Sequence, residues 1–168
     1  MTARIVTFSV GDRQVEVMVQ PMATLQSVLR YQLGMTAAKE GCRQGGCGSC
    51  TVLLDGEPVL SCLLPVEDVE GRHVTTLEAM STPDAIHPVQ QAFIDQLGFQ
   101  CGYCTPGMVV VTAALLEHNP SPTRDEILDA IAGNVCRCTG YEPIVAAVEQ
   151  AATQTSGPGW QALEGSQP

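Results

Sequence analysis

Residues 4–20 alternate between apolar and polar side chains, the pattern of strands with one buried face. Val15, Val17 and Val19 fall on one side of that alternation, and Gly11-Asp12 interrupts it. Glycine and aspartate favour tight turns because they tolerate backbone conformations that other residues avoid. The pattern therefore predicts a β-hairpin over residues 4–20.

A helical period follows the hairpin. Apolar residues recur three or four positions apart between Thr24, which is suited to cap a helix, and Gly34, which is suited to end one. A loop rich in glycine and cysteine then occupies residues 41–50. Short strands are predicted at Thr51–Leu54, Pro58–Leu60 and Val74–Leu77. Together these elements predict a small mixed sheet with one helix packed across it.

The composition changes near residue 80, where Ser81-Thr82-Pro83-Asp84 indicates a linker. Four amphipathic helices are predicted beyond it, at Pro88–Leu97, 106–118, Thr123–Ala132 and 142–153. Four helices of this kind favour a bundle. The tail from Ser156 is rich in glycine, proline and glutamine, and we expect it to be loose or pinned by Trp160. The chain is thus predicted to be an α+β protein.

The charge excludes several classes of partner. The chain has 168 residues and a formal net charge of −10, from 18 acidic and 8 basic side chains. Nucleic acid and anionic lipid both attract cationic surfaces, so neither is an expected partner. No apolar run approaches the roughly 20 residues that a membrane span needs. The N-terminal segment MTARIVTFSVG lacks the basic and apolar regions of a secretory signal, so a cytoplasmic location is expected.

The eight cysteines divide into two sets of four, which predicts metal ligation. In the first set, Cys42, Cys47 and Cys50 lie on the glycine-rich loop and Cys62 follows after a longer gap. This spacing is typical of plant-type [2Fe–2S] proteins. Four glycines on the loop let backbone amides approach the sulfurs. Zinc is the alternative, but a four-cysteine zinc site usually pairs two short knuckles, so the spacing favours iron–sulfur.

The second set consists of Cys101 and Cys104, separated by two residues, and Cys136 and Cys138, separated by one. Each pair precedes a predicted helix. The free amides and the dipole at a helix N-terminus would stabilise an anionic metal–thiolate centre. From spacing alone, zinc stays a serious competitor for this second set.

The sequence around these cysteines resembles a known family. Residues 100–108 (QCGYCTPGM) and 133–141 (GNVCRCTGY) closely resemble the paired motifs of the iron–sulfur subunit of the molybdenum hydroxylases, the xanthine oxidase and carbon monoxide dehydrogenase family. The first set, within residues 40–52, fits the same family. The resemblance covers residues 4–153 and includes all eight cysteines in order.

The resemblance implies a two-domain fold. Residues 1–80 would form a β-grasp, plant-type ferredoxin-like domain, residues 81–155 a four-helix bundle, and residues 156–168 a flexible tail. Each domain would hold one [2Fe–2S] cluster. The implied ligands are Cys42, Cys47, Cys50 and Cys62 in the first domain, and Cys101, Cys104, Cys136 and Cys138 in the second.

The resemblance also implies an oxidoreductase role without a substrate site or catalytic residue in this chain. The subunit would relay electrons from the molybdopterin centre of a large subunit to FAD on a medium subunit, or to another acceptor. Gln100 and the Cys138 region would bind near the pterin. The implied assembly is a hetero-oligomer, with a dimer of heterotrimers as one form.

Two positions depart from the family pattern, since many relatives have glycine and alanine where this chain has Arg43 and Ser49. Arg43 would either raise the potential of the first cluster or point into solvent or a partner, and Ser49 would donate a hydrogen bond to a sulfur. We expect His73, His87 and His118 to be surface or capping residues.

Two other classes of function stay open at this point. A free-standing soluble two-cluster ferredoxin would use the same ligands, although a mobile carrier has little use for the helical domain. A zinc-stabilised interaction module would also account for clustered cysteines.

Overall fold

The computed structural model describes residues 2–81 and 85–155. The predicted linker falls mainly outside them, as do the predicted tail 156–168 and Trp160. The strands are β1 (Arg4–Val10), β2 (Arg13–Val19), β3 (Thr51–Leu54), β4 (Glu57–Leu60) and β5 (His73–Thr75). The helices are α1 (Leu25–Tyr31), α2 (Pro88–Asp95), α3 (Thr105–His118), α4 (Arg124–Ile131) and α5 (Glu142–Ala152). The α+β prediction is confirmed.

The five strands form one mixed sheet in the order β2-β1-β5-β3-β4. The predicted hairpin is confirmed, because β1 and β2 pair antiparallel over their full length and turn at Gly11, whose φ is +56°. Strand β1 pairs parallel with β5, and β3 pairs antiparallel with both β5 and β4. The three valines predicted to share a face, Val15, Val17 and Val19, are all buried in the first hydrophobic core.

Helix α1 packs against this sheet through Leu25, Val28 and Leu29, which are buried in the same core. Its cap is the predicted one, since the Thr24 hydroxyl accepts a hydrogen bond from the Ser27 amide at 3.2 Å. The helix ends at Tyr31, before the predicted stop at Gly34.

The four later helices form a second hydrophobic core. Helix α3 lies at its centre and is buried along almost its whole length. It contacts α2 and α4 on one side and strands β3 and β4 on the other, while α5 contacts α2 and α4. Leu53 of β3 belongs to this second core, so the helices pack directly on the sheet.

Two further predicted boundaries were wrong. Helix α2 ends at Asp95 rather than Leu97 because Leu97 adopts φ +53° and the Gly98 amide returns to the Phe93 carbonyl at 2.8 Å. Strand β5 ends at Thr75, and the following residues Leu77–Met80 form a short 3₁₀ helix instead of extending the strand. Leu77 and Met80 turn away from the sheet to pack against the helical core.

A Thr123→Ala variant is expected to destabilise the protein by about 1 kcal/mol, because it removes the cap of α4. The Thr123 hydroxyl accepts from the Glu126 amide at 3.3 Å, and the Glu126 carboxylate accepts from the Thr123 amide at 2.6 Å. Urea unfolding followed by circular dichroism measures the effect. Ser121→Ala, at an exposed position outside the helix, is the control. Equal midpoints for the two variants would contradict this capping role.

Among residues 2–81 and 85–155, no helix combines the length and the apolar character needed to cross a membrane.

Candidate metal centres

Two of the first four predicted ligands, Cys50 and Cys62, meet at one end of the sheet. Cys50 directly precedes β3 and Cys62 lies two residues beyond β4, so the register of this hairpin, which pairs Thr51 with Leu60, brings both thiols to the same end. The Ser61 hydroxyl donates to the Cys50 carbonyl at 2.7 Å and secures that approach. Cys50 and Cys62 are buried, and their thiols are neighbours.

Cys42 and Cys47 form the other pair of this set, and their thiols are also in contact. The Gly46 amide donates to the Cys42 sulfur at 3.2 Å. The Gly41 backbone lies close to the Cys47 sulfur, because a Cβ added to Gly41 would be only 2.7 Å from that sulfur. Backbone amides aimed at sulfur stabilise a thiolate, which is the form that binds metal.

The loop is fixed to the body of the sheet domain by two hydrogen bonds. The Lys39 amide donates to the Ser49 carbonyl at 2.9 Å. The buried Gln26 side chain of α1 donates to the Lys39 carbonyl at 2.7 Å. Helix α1 therefore helps to position the loop that carries three of the four cysteines.

The second four predicted ligands lie between helices. Cys104 caps the N-terminus of α3, and Cys136 and Cys138 lie on the loop before α5. The Cys101 and Cys138 sulfurs are 3.6 Å apart and exposed, whereas Cys104 and Cys136 are buried and in contact. The predicted position of each pair just before a helix is confirmed.

Hydrogen bonds and burial shift the pKa values of three of these thiols in opposite directions. A hydrogen bond from the Gln44 backbone, followed by one from Cys47, lowers the pKa of Cys42 to about 7. Burial raises the pKa of Cys50 to about 11 and that of Cys104 to about 12. The Cys50 and Cys104 thiols are thus poor thiolates by themselves and need a bound cation to lose their protons.

The donor set fits two-iron centres better than single metal ions. The thiols form four neighbouring pairs, two in each set, and the Cys101 and Cys138 sulfurs are 3.6 Å apart. A single zinc ion needs four donors around one point, whereas a [2Fe–2S] cluster needs two thiolates on each of two irons.

The two sets of cysteines are joined by contacts that the sequence analysis missed. The Val135 amide donates to the Cys47 carbonyl at 3.0 Å, and Val135 immediately precedes Cys136. The Asn134 side chain donates to the Gly48 carbonyl at 3.0 Å. The only sequence signal for these contacts is the position of Gly48 and Asn134 beside predicted ligands.

A third contact links the two loops at their exposed edge. The Tyr103 hydroxyl, between Cys101 and Cys104, donates to the Glu40 carbonyl at 2.8 Å. Glu40 also pairs with Arg43, whose guanidinium lies 2.8 Å from the carboxylate and is largely exposed. The Arg43 side chain points outward, and an effect of its charge on the potential of the first cluster stays a prediction. Its backbone adopts φ +55°, a conformation that glycine adopts without strain.

The remaining predicted residues are placed as follows. Gln100 is exposed and directly precedes Cys101, and Ser49 is buried. His87 caps α2, because its Nδ1 accepts a hydrogen bond from the Val89 amide at 3.2 Å. The predicted capping role of a histidine is therefore confirmed for His87. His73 contacts the Ser9 and Thr75 hydroxyls, and His118 lies at the end of α3 beside Glu57.

Two family models match the chain. A 2Fe-2S iron-sulfur cluster binding domain matches residues 2–95, and a [2Fe-2S] binding domain matches residues 76–149. Together they account for both halves of the fold that carry cysteines.

Curated relatives include separate small subunits and parts of longer chains. The chain is 43% identical over 135 residues to the nicotinate dehydrogenase small FeS subunit of Eubacterium barkeri, covering 80% of this chain and 86% of that relative. It is 44% identical over 138 residues to the aldehyde oxidoreductase of Megalodesulfovibrio gigas, covering 80% of this chain. In that second case the chain spans only 15% of the relative's length.

Solved structures have the same fold. Quinoline 2-oxidoreductase from Pseudomonas putida 86 superposes with a TM-score of 0.89 at 36% identity, covering 94% of this chain and 98% of that one. The aldehyde oxidoreductase from Desulfovibrio desulfuricans superposes with a TM-score of 0.88 at 44% identity, covering 91% of this chain and 17% of that one. The sequence and the fold agree, and the chain belongs to the family of [2Fe–2S] iron–sulfur subunits of the molybdenum hydroxylases.

Proposed function

We propose that this chain is the electron-transfer subunit of a multi-subunit molybdenum hydroxylase and carries two [2Fe–2S] clusters. The observation that carries the proposal is the arrangement of eight thiols as two sets of two neighbouring pairs. When bound, each cluster would supply one-electron redox chemistry.

The neighbouring pairs indicate which thiols share an iron. In the first centre, Cys42 with Cys47 would bind one iron and Cys50 with Cys62 the other. In the second centre, the corresponding pairs are Cys101 with Cys138 and Cys104 with Cys136. Backbone donors such as the Gly46 amide would offset the negative charge on the sulfurs.

The domain division is part of the proposal. Residues 1–80 would form the β-grasp ferredoxin-like domain, supported by a mixed sheet with α1 packed on it. Residues 81–155 would form the four-helix bundle, supported by the mutual contacts of α2–α5 around a separate core.

The proposed direction of electron flow is from the second centre to the first. Gln100, Cys101 and Cys138 are exposed, so a partner can reach this edge of the second centre. There a large molybdopterin-binding subunit would dock, with Gln100 and Cys138 near the pterin. The loop around Arg43 is exposed at the first centre and would face FAD on a medium subunit or another acceptor.

The assembly and its location follow from the same proposal. The chain would belong to a cytoplasmic hetero-oligomer, with a dimer of heterotrimers as one form. Similar proteins that stand as separate small subunits, such as that of the Eubacterium barkeri nicotinate dehydrogenase, match most of their length to this chain. The residues that bind and convert the substrate would all belong to the large partner subunit.

The test is purification of the tagged full-length chain from its own host without oxygen. We expect a larger chain to co-purify with molybdenum, and the iron–sulfur signals in electron paramagnetic resonance to appear when the complex is given its substrate, tested among N-heterocycles and aldehydes. A chain that purifies alone with its full iron content, and exchanges electrons rapidly with soluble reductases, would contradict the subunit proposal in favour of a free-standing ferredoxin.

A further inference from the structure

The Thr139 hydroxyl lies beside one of the predicted ligands of the second centre. Its Oγ1 is 3.1 Å from the Cys136 Sγ, within hydrogen-bonding distance. The same oxygen accepts a hydrogen bond from the Tyr141 amide, also at 3.1 Å. A threonine hydroxyl has one proton to donate, and accepting from Tyr141 leaves that proton free for another acceptor. The Cys136 sulfur is in position to accept it.

The direction of this hydrogen bond follows from the chemistry of the sulfur. A thiol and a hydroxyl can each donate to the other, so the distance alone does not decide between them. A cysteine that binds iron does so as a thiolate, which has no proton and only accepts. In the proposed iron-bound form, the Thr139 hydroxyl is therefore the donor and the Cys136 sulfur is the acceptor.

The loop before α5 holds Thr139 in this position. The Tyr141 hydroxyl accepts from the Cys136 amide at 2.9 Å and donates to the Asn134 carbonyl at 3.3 Å. Together with the two contacts of Thr139, these bonds close a ring through Cys136, Thr139 and Tyr141. Gly140 and Tyr141 have φ values of +69° and +71°, which turn the chain back on itself. The hydroxyl therefore reaches the sulfur from a constrained turn.

The Cys136 sulfur lies where a hydrogen bond has a large electrostatic effect. Cys136 is buried in the helical core, and hydrogen bonds are stronger where little water competes for them. Burial raises the pKa of Cys136, but hydrogen bonds from the Thr139 side chain and then from the backbones of Thr139 and Cys138 outweigh it, so this pKa lies below its ordinary value. The hydroxyl thus stabilises negative charge on the sulfur.

We infer that Thr139 raises the midpoint potential of the second centre by donating a hydrogen bond to the Cys136 sulfur. This inference rests on the proposed function. A centre gains one negative charge when it accepts an electron, and a charge-assisted hydrogen bond favours the more negative state. Hydrogen bonds to sulfur are among the factors that set iron–sulfur potentials. One electron arrives from the large subunit, no bond is made or broken, and Thr139 keeps its proton.

The first test compares Thr139→Val, which has a similar shape but no hydroxyl, with Thr139→Ser, which keeps the hydroxyl. Both are prepared as the full chain with iron, and redox titrations are followed by electron paramagnetic resonance. In the valine variant we expect an electron shared between the centres to favour the first centre about tenfold more than in the wild type, which corresponds to a second-centre potential lower by about 59 mV. The serine variant should keep the wild-type potential.

The second test detects the hydroxyl proton itself. Electron–nuclear double resonance of the reduced second centre is recorded in water and in deuterium oxide. The wild-type and serine spectra should contain a coupled exchangeable proton that the valine spectrum lacks. A residue that only shaped the turn would contribute no such proton.

Two control variants separate the donor from general loosening of the loop. Thr112→Val makes the same exchange in α3, at a buried hydroxyl that has no hydrogen-bond partner among the described residues. Tyr141→Phe removes the bond to the Cys136 amide and leaves the Thr139 hydroxyl in place. Both controls should retain the coupled proton, and neither should shift the potential as far as Thr139→Val.

The outcomes separate this inference from the proposed function. An unchanged potential in a Thr139→Val chain that retains the second centre would overturn the inference alone, as would an equal shift in Thr139→Ser or Tyr141→Phe. If valine prevents assembly of the centre, Thr139→Ala takes its place. A wild-type second centre without a coupled exchangeable proton would overturn the inference whatever the variants do. A wild-type chain without a reducible second centre would instead overturn the proposed function.

Discussion

A Cys104→Ser variant is expected to lose the second centre and keep the first, so its iron content should fall from about four to about two per chain. Cys104 is buried at the N-terminus of α3 and contacts Cys136. Serine would leave one iron without a thiolate in a site where water cannot replace it. Metal analysis and electron paramagnetic resonance measure the loss. In the proposed holoenzyme, substrate would then no longer reduce the first centre.

Cys42→Ser is the reciprocal control. It should remove the first centre and leave the spectrum of the second, because Cys104 and Cys136 belong to the helical core and Cys42 does not. If either variant lost both spectra, the centres would not assemble independently. If Cys104→Ser kept its full iron content, Cys104 would not be a ligand.

Gly48→Ala is expected to have the largest effect of any change that leaves the cysteines intact. Gly48 has φ +68°, where a side chain costs about 1 to 2 kcal/mol. The new Cβ would also lie 2.5 Å from the Gly133 carbonyl oxygen, and overpacking of this kind costs about 1 to 3 kcal/mol. Together we expect a destabilisation of about 3 kcal/mol, measured as a lower urea midpoint for loss of the iron–sulfur absorbance.

Gly34→Ala is the matched control for Gly48→Ala. Gly34 has φ +71°, but a Cβ there meets nothing within 4 Å. It should therefore show the conformational cost without the clash. If the two variants shifted the midpoint equally, the close approach at Gly48 would not contribute to stability.

Local sequence signals predicted most elements of the fold. The β1–β2 hairpin follows from alternation and a glycine turn, and α4 follows from the Thr123 and Glu126 capping pair. These signals act between residues close in sequence, so they can be recognised without knowledge of the fold. The errors occurred where distant packing decides the conformation. Leu77 leaves the strand direction because its side chain packs on the helical core, which alternation cannot anticipate.

The candidate ligands were named from the sequence, by cysteine spacing for the first set and by the family resemblance for the second. Their pairing was not. Cys101 contacts Cys138 and Cys104 contacts Cys136, an arrangement that depends on how the start of α3 meets the loop before α5. The contact of Asn134 with the Gly48 carbonyl was likewise not predictable, since the two residues are 86 positions apart in sequence. Contacts of this kind arise only from the tertiary fold.

The central claim is that these eight thiols bind two iron pairs, and the most direct measurement is the metal and acid-labile sulfide content of the full chain purified without oxygen. The account predicts about four iron and about four sulfide per chain in a red-brown protein. A colourless protein that contains zinc in place of iron, with no labile sulfide, would contradict it.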